Sequence, residues 1–230
     1  MLGRRTLTQF SDGPMPPANL PCPVCLALQT RALAQIEGRN YRACMVCDAR
    51  YLDPAHYPTR EAEYAEYRLH ENDVDDPRYR QFLAKLTTPL LARLRPGATG
   101  LDYGCGPGPA LAAMLRAAGH QMALYDPLFA PDRAALAQDY DFITCTEVAE
   151  HFHAPASEFA RLRAMIRPGG WLAIMTCFQT DDAEFANWHY RRDITHVVFY
   201  REATLRYLAQ TWGWPCDVPC KDVALLQRPL

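Results

Sequence analysis

The sequence predicts an α/β protein: a mostly parallel sheet with helices on both faces, preceded by a small cysteine-bearing unit. Three observations predict it. From residue 96 onward, short apolar runs alternate with helical stretches, the pattern of a parallel sheet covered by its crossovers. The first run ends in Leu101-Asp102-Tyr103-Gly104-Cys105-Gly106-Pro107-Gly108, a strand flowing into a glycine-rich turn. Ahead of it, four cysteines stand as Cys22-Pro-Val-Cys25 and Cys44-Met-Val-Cys47.

Residues 1–20 carry Gly13, Pro14, Pro16 and Pro17, lack the apolar core of a secretory signal, and read as a flexible arm. Residues 21–58 hold a C-x2-C-x18-C-x2-C arrangement, with strand-like alternation at Tyr41-Arg42-Ala43-Cys44 and Ala49-Arg50-Tyr51-Leu52. Two pairs of thiolates at that spacing can close a tetrahedral site, so Cys22, Cys25, Cys44 and Cys47 are the expected ligands of a structural Zn. The unit resembles a zinc ribbon. Asp53-Pro54 and Tyr57-Pro58 end the extended segment. Residues 59–95 read as a helical cap, broken at Asn72-Asp73-Val74-Asp75-Asp76-Pro77, with an apolar stripe of Phe82, Leu83, Leu86, Leu90, Leu91 and Leu94. Residues 96–230 follow as the main domain, with strands expected at 100–103, 122–125, 141–146, 171–177 and 222–228 and helices at 110–118, 155–167 and 202–212. The tail reads as closing strands in an antiparallel hairpin.

Composition narrows the function. The chain is 49% hydrophobic and 22% charged, with net charge −2, which gives no global electrostatic reason to bind nucleic acid. No run approaches the ~20 apolar residues of a membrane span. The expected setting is the cytosol and the expected partner a small molecule.

The glycine loop limits the ligand. A dinucleotide loop has the form G-x-G-x-x-G, with pyrophosphate at the helix N-terminus. Here the spacing is G-x-G-x-G, Pro109 follows, and Asp102 precedes the first glycine by two residues. A carboxylate facing the pocket at that point repels pyrophosphate and attracts an ammonium group. Asp126, at the end of the next strand, is placed to accept both hydroxyls of a ribose. An acid for an ammonium, bare backbone at Gly104, Gly106 and Gly108, and an acid for a ribose describe S-adenosylmethionine. With these residues the chain resembles the class I S-adenosylmethionine-dependent methyltransferases over roughly residues 96–230. The resemblance implies a Rossmann-like sheet and methyl transfer. It also exposes a departure: only residues 127–138 stand where that family has a further helix and strand, so the third strand is expected to be missing or vestigial. In related enzymes the segment before the sheet caps the cofactor, which makes Tyr64, Tyr67, His70 and Tyr79 pocket candidates.

The acceptor side is less determined. The run Glu147-Val148-Ala149-Glu150-His151 follows a strand whose end borders the ligand crevice. A helical turn there would put Glu147, Glu150 and His151 on one face. With the distal His196, the run resembles the quinone O-methyltransferases and the small-RNA 2′-O-methyltransferases, in which these residues hold a divalent metal against the acceptor oxygens. Two other readings stand beside that one. His151 or His196 could be a general base near its ordinary pKa, oriented by the glutamates, or the acids could cap a helix and the histidines pack. Tyr190 and Arg191 are further pocket candidates. The order of ribbon and methyltransferase also resembles the sugar C-methyltransferases, whose acid–base residues lie in a third domain that this sequence does not include. The resulting expectation is methyl transfer to a small molecule, at oxygen. The alternatives are an RNA methyltransferase gripping RNA through the ribbon and an inactive cofactor-binding interaction module.

Overall fold

The computed structural model describes residues 20–68 and 73–230. The arm (apart from Leu20), His70 and Asn72 lie outside the described residues.

The cysteine-bearing unit opens with β1 (Thr30–Ile36), β2 (Arg39–Cys44) and β3 (Arg50–Leu52). Glu37 and Gly38 both take positive φ (52° and 76°), the conformation that a two-residue hairpin needs, and β1 and β2 pair antiparallel across it. The fourth strand of this sheet comes from far along the chain: β8 (Val198–Phe199) pairs with β3, giving the order β1-β2-β3-β8. Alternation had marked β2 and β3. It missed β1, whose residues are mostly half exposed, and β8, which is only two residues long.

Asp53 ends the unit by capping a short 3-10 turn, its Oδ1 accepting the Ala55 N–H at 3.1 Å. Two helices follow, α1 (Arg60–Tyr67) and α2 (Pro77–Leu91). Thr59 caps the first, and Asp76, just ahead of Pro77, caps the second. Leu83, Leu86 and Leu90 of α2 are buried.

The main sheet contains β4 (Thr99–Tyr103), β5 (Gln121–Tyr125), β6 (Tyr140–Thr146), β7 (Ile166–Met175), β9 (Cys216–Cys220) and β10 (Val223–Gln227), in the order β5-β4-β6-β7-β10-β9. The pairs from β5 through β7 are parallel, and β10 runs antiparallel to both neighbours. α3 (Ala110–Ala117), α4 (Pro155–Ala164) and α5 (Glu202–Trp212) connect the strands. Between β5 and β6 stand only a bridge from Asp126 to Ala130 and a 3-10 turn, Arg133–Ala137, so β5 forms an edge of the sheet among the described residues. α4 ends earlier than its pattern predicts because Ile166 already pairs with Tyr140, and residues 167–170 bulge before Trp171 meets Phe142.

The apolar cluster on one side of the sheet includes Ile143, Phe159 and Leu172 and continues without a break into Tyr41, Tyr51, Phe185 and Phe199. The cysteine-bearing unit therefore shares a core with the sheet domain. Among the described residues no helix is long and apolar enough to cross a membrane.

Candidate active site

Because parallel strands end on one side, the glycine loop after β4 and the loop after β6 meet at one rim. Gly104 (φ +79°) and Gly106 (φ +63°) turn the first loop, and the N–H groups of Gly104 and Cys105 donate to the Tyr125 carbonyl at 2.7 and 3.2 Å. Gly104 has a second reason to lack a side chain: a Cβ there would lie 2.4 Å from Cγ2 of Val148, in the loop after β6. The two loops touch at this glycine.

Asp126 fastens the first loop. Its Oδ1 accepts the N–H groups of Leu128 and Phe129 (2.8 and 3.0 Å), and its Oδ2 accepts that of Gly106 (3.1 Å). It also lines the cavity, and of the roughly four acceptor positions of a carboxylate about one remains. Asp102 departs from expectation. It is 4% exposed, lies outside the cavity wall, and accepts the hydroxyl of Thr144, its partner in the β4–β6 register, at 2.8 Å. Strand alternation gives the wall position to its neighbour Tyr103. Burial pushes the Asp102 carboxyl up to about 6, against the Thr144 hydrogen bond. Gly108 likewise lies outside the wall, just ahead of α3.

The second loop does not form the expected helix face. Glu147 takes φ +53°, its N–H donates to Met175, and a single 3-10 turn, Ala149–His151, follows. The left-handed residue redirects the chain before the turn begins, so Glu147 is set apart from Glu150 and His151. Tyr190, in the 3-10 turn His189–Arg192, bridges them again: its hydroxyl donates to Glu150 Oε1 and lies 3.3 Å from Glu147 Oε2 and 3.1 Å from Thr176 Oγ1. One phenolic proton serves one carboxylate. Burial, and then the charge of Glu150, raises the Glu147 carboxyl to about 8, so at neutral pH it carries its own proton.

Both histidines present the same nitrogen. His151 Nδ1 lies 3.1 Å from the Thr195 carbonyl, and His196 Nδ1 lies 2.7 Å from the Tyr190 carbonyl. A carbonyl only accepts, so Nδ1 carries the hydrogen in each ring and Nε2 keeps its lone pair. The ring centroids are 4.7 Å apart. Burial drives His151 down to about 4, against the pull of Glu150, away from the ordinary value expected of a general base at that position. Glu150 is fully buried, and its Oε2 has no hydrogen-bond partner. One ligand atom from each of Glu150, His151 and His196 lies within 4.8 Å of the others, a carboxylate and two imidazoles suited to a divalent cation. Of the four candidates on this side, three converge and Glu147 joins through Tyr190.

One cavity of about 690 Å³ contains both ends, with Gly104, Gly106 and Asp126 in one wall and Glu147, His151 and His196 in another. Tyr67 and Tyr79 line it, and the Tyr67 ring meets that of His151 edge-on at 5.3 Å. Tyr64 is exposed instead, and Arg191 is buried and turned away over the Tyr41 ring. Sequence reasoning missed Arg60, Glu63, His153 and Asp193 in the wall. Only Asp193 left a signal, three residues before His196, and its Oδ2 lies 3.6 Å from His196 Nε2.

The four cysteines also converge. Cys22 and Cys47 Sγ are 3.6 Å apart and Cys25 and Cys44 Sγ 3.5 Å. A tetrahedron of thiolates at a Zn–S distance of ~2.3 Å has edges of about 3.8 Å. Leu26 and Asp48, each following the second cysteine of a pair, take φ of 63° and 64°, and the N–H groups of Val46 and Cys47 donate to Cys44 Sγ at 3.4 Å. The cysteine set thus fits a four-thiolate metal.

A glycine loop at a strand end, an acid on the adjacent strand and a shared cavity define a cofactor-binding α/β enzyme. The chain belongs to the methyltransferase-domain family, whose model matches residues 76–217. No curated protein matches its sequence. Among solved structures, 1,6-didemethyltoxoflavin-N1-methyltransferase from Burkholderia thailandensis is 20% identical, with 86% of this chain and 99% of that one covered and a TM-score of 0.48. CalO1, a methyltransferase in calicheamicin biosynthesis, is 16% identical over 74% of this chain and 58% of its own, with a TM-score of 0.49. The O-methyltransferase NcsB1 from neocarzinostatin biosynthesis is 15% identical over 65% and 55%, with a TM-score of 0.46.

Proposed function

We propose that the protein transfers the methyl group of S-adenosylmethionine to an oxygen of a small-molecule acceptor, and that a divalent cation held by Glu150, His151 and His196 sits on the acceptor side. The observation that carries this reading is the unpartnered, buried Oε2 of Glu150, whose carboxylate has an oxygen within 4.8 Å of a ring nitrogen of both His151 and His196, two residues that line the cavity of the glycine loop. An uncompensated buried carboxylate oxygen is costly, and a cation compensates it. Such an ion would acidify an acceptor hydroxyl.

The chain's own residues do the rest. The glycine loop and Asp126 hold the donor. Tyr190 fixes Glu150 through Oε1, and the Thr195 and Tyr190 carbonyls fix the tautomers of the two rings. Methyl transfer is an in-line displacement: the acceptor oxygen forms a bond to the methyl carbon as the carbon–sulfonium bond breaks, and the thioether leaves. Alignment in the cavity supplies most of the acceleration. Asp193, on the wall beside His196, is placed to take the acceptor's proton. The wall carboxylates Glu63, Glu158 and Asp193 disfavour a polyanion, which supports a small molecule over RNA.

The cysteine set is proposed to hold one structural zinc, and domain boundaries near 20, 58 and 95 accompany that reading. Elemental analysis should find one zinc per chain in the wild type and none in Cys44→Ser. For the reaction, the full chain should be incubated with methyl-labelled S-adenosylmethionine, separate pools of hydroxylated metabolites and RNA, and a mild chelator that spares a four-thiolate site. Label should appear on oxygen in the low-mass fraction and vanish with chelator. Label in RNA would overturn the substrate class. Transfer indifferent to chelator would overturn the cation and leave a histidine Nε2 as the base.

A further inference from the structure

One buried arginine ties the cysteine-bearing unit to the segment that carries Tyr190, Asp193 and His196. Arg50, in β3, has a side chain only 4% exposed. Its Nε and Nη2 donate to the two oxygens of Asp182 at 2.8 and 3.0 Å, and its Nη1 donates to the carboxylate and the carbonyl of Asp48 at 2.7 and 2.8 Å. A planar fork used on both sides fixes geometry as well as charge. Asp48 directly follows Cys47, so the cysteine knuckle sets its position. Asp182 lies on the segment between β7 and β8 that carries Tyr190, Asp193 and His196. Arg201 doubles the link, donating to Asp182 Oδ1 (2.8 Å) and Asp48 Oδ2 (3.1 Å).

Two further contacts run the same way. Leu52 N–H donates to the Val197 carbonyl (2.8 Å), and Val197 N–H donates to the Glu150 carbonyl (2.9 Å), so β3 is two backbone hydrogen bonds from the acceptor cluster. Arg191, next to Tyr190, is packed over the Tyr41 ring of β2 and donates to the Ala186 carbonyl at 3.1 Å.

We propose that the cysteine-bearing unit acts as a clamp on the acceptor half of the site, with Arg50 as a positioning residue that holds residues 182–196 through Asp182. This rests on the reading of Glu150, His151 and His196 as the acceptor side. The clamp does not touch the glycine loop, so its loss should disorder one end of the cavity and spare the other.

The test uses the full-length, zinc-loaded chain as wild type, Asp182→Asn and Arg50→Lys. It follows amide hydrogen exchange, the Nδ1–H proton resonance of the His196 ring, and calorimetric binding of S-adenosylhomocysteine. Both variants should exchange at least ~10-fold faster over residues 184–198 and broaden or lose the His196 ring proton. Protection of β4 through β7 should be unchanged, and S-adenosylhomocysteine affinity should stay within about twofold of wild type. Asp182→Glu, which keeps the charge, should restore the His196 signal in part. Unchanged exchange in both variants would overturn the clamp, as would loss of protection spread evenly through the sheet. Failure of the wild type itself to bind S-adenosylhomocysteine would instead strike the functional reading, which separates the two failures.

Discussion

The two ends of the cavity are built in different ways. The cofactor end is local. Gly104, Gly106 and Asp126 lie just past the ends of two adjacent parallel strands, and their hydrogen bonds run among residues 104–129. The acceptor end is assembled from distant pieces: residues 147–151 follow β6, residues 190–196 come after β7, and the unit containing Arg50 holds the second piece in place. A local site follows from a short motif and the sheet under it. An assembled site depends on contacts that can be cut one at a time, so the two ends should fail separately.

The largest separation should come from His196→Ala. Removing a group that faces the acceptor should lower methyl transfer by ~10²–10⁴-fold. S-adenosylhomocysteine binding, measured by calorimetry, should stay within about twofold. If binding falls in parallel with turnover, the two ends are not separable. Gly104→Ala should do the reverse. A non-glycine residue in the left-handed region costs ~1–2 kcal/mol, and the added Cβ would meet Val148 at 2.4 Å. S-adenosylhomocysteine affinity should fall by ~10–100-fold, together with the melting temperature. Unchanged affinity would mean that the glycine loop does not carry the cofactor.

Asp102→Asn gives a smaller effect with a defined pH dependence. Burial raises the Asp102 carboxyl from 3.8 to about 6 in the folded state. The fold therefore prefers the neutral acid, and that stabilisation is complete below about pH 4 and lost as pH rises through about 6. Asparagine is neutral throughout. The ligand-free variant should be more stable than wild type at pH 8, by about 2–3 kcal/mol at most, and equal to it near pH 4. Because Asp102 lies outside the cavity wall, S-adenosylhomocysteine affinity should follow the same pH profile in wild type and variant. Melting curves and calorimetry across that range check both. A limb near pH 6 in the wild-type affinity that the variant lacks would place Asp102 against the cofactor instead.

The same contrast explains what the sequence made legible. The five strands expected in the main domain, its three helices and the absent third strand all follow from apolar period and loop length, which are local properties. So does the convergence of the cysteines. The Glu147 turn was not legible, because its left-handed backbone is set by Val148 packing on Gly104 and by the bond to Met175. The inward turn of Asp102 follows from pleat alternation, which assigns either 102 or 103 to the cavity without saying which. Arg191 read as a pocket residue because it adjoins Tyr190, but a stack on Tyr41, 150 positions earlier, decides its direction. Strand β8 and the Arg50–Asp182 pair depend on the same long-range register.

The central claim is that the acceptor end holds a cation that the cofactor end does not need. Manganese titrated into the zinc-loaded chain, followed by the loss of its free-ion electron paramagnetic resonance signal, tests this most directly in wild type and Glu150→Gln. The account predicts one manganese bound per wild-type chain beyond the cysteine-bound zinc and none in Glu150→Gln, with equal S-adenosylhomocysteine affinity in the two proteins. Absence of manganese binding to the wild type, or equal binding by both, would contradict it.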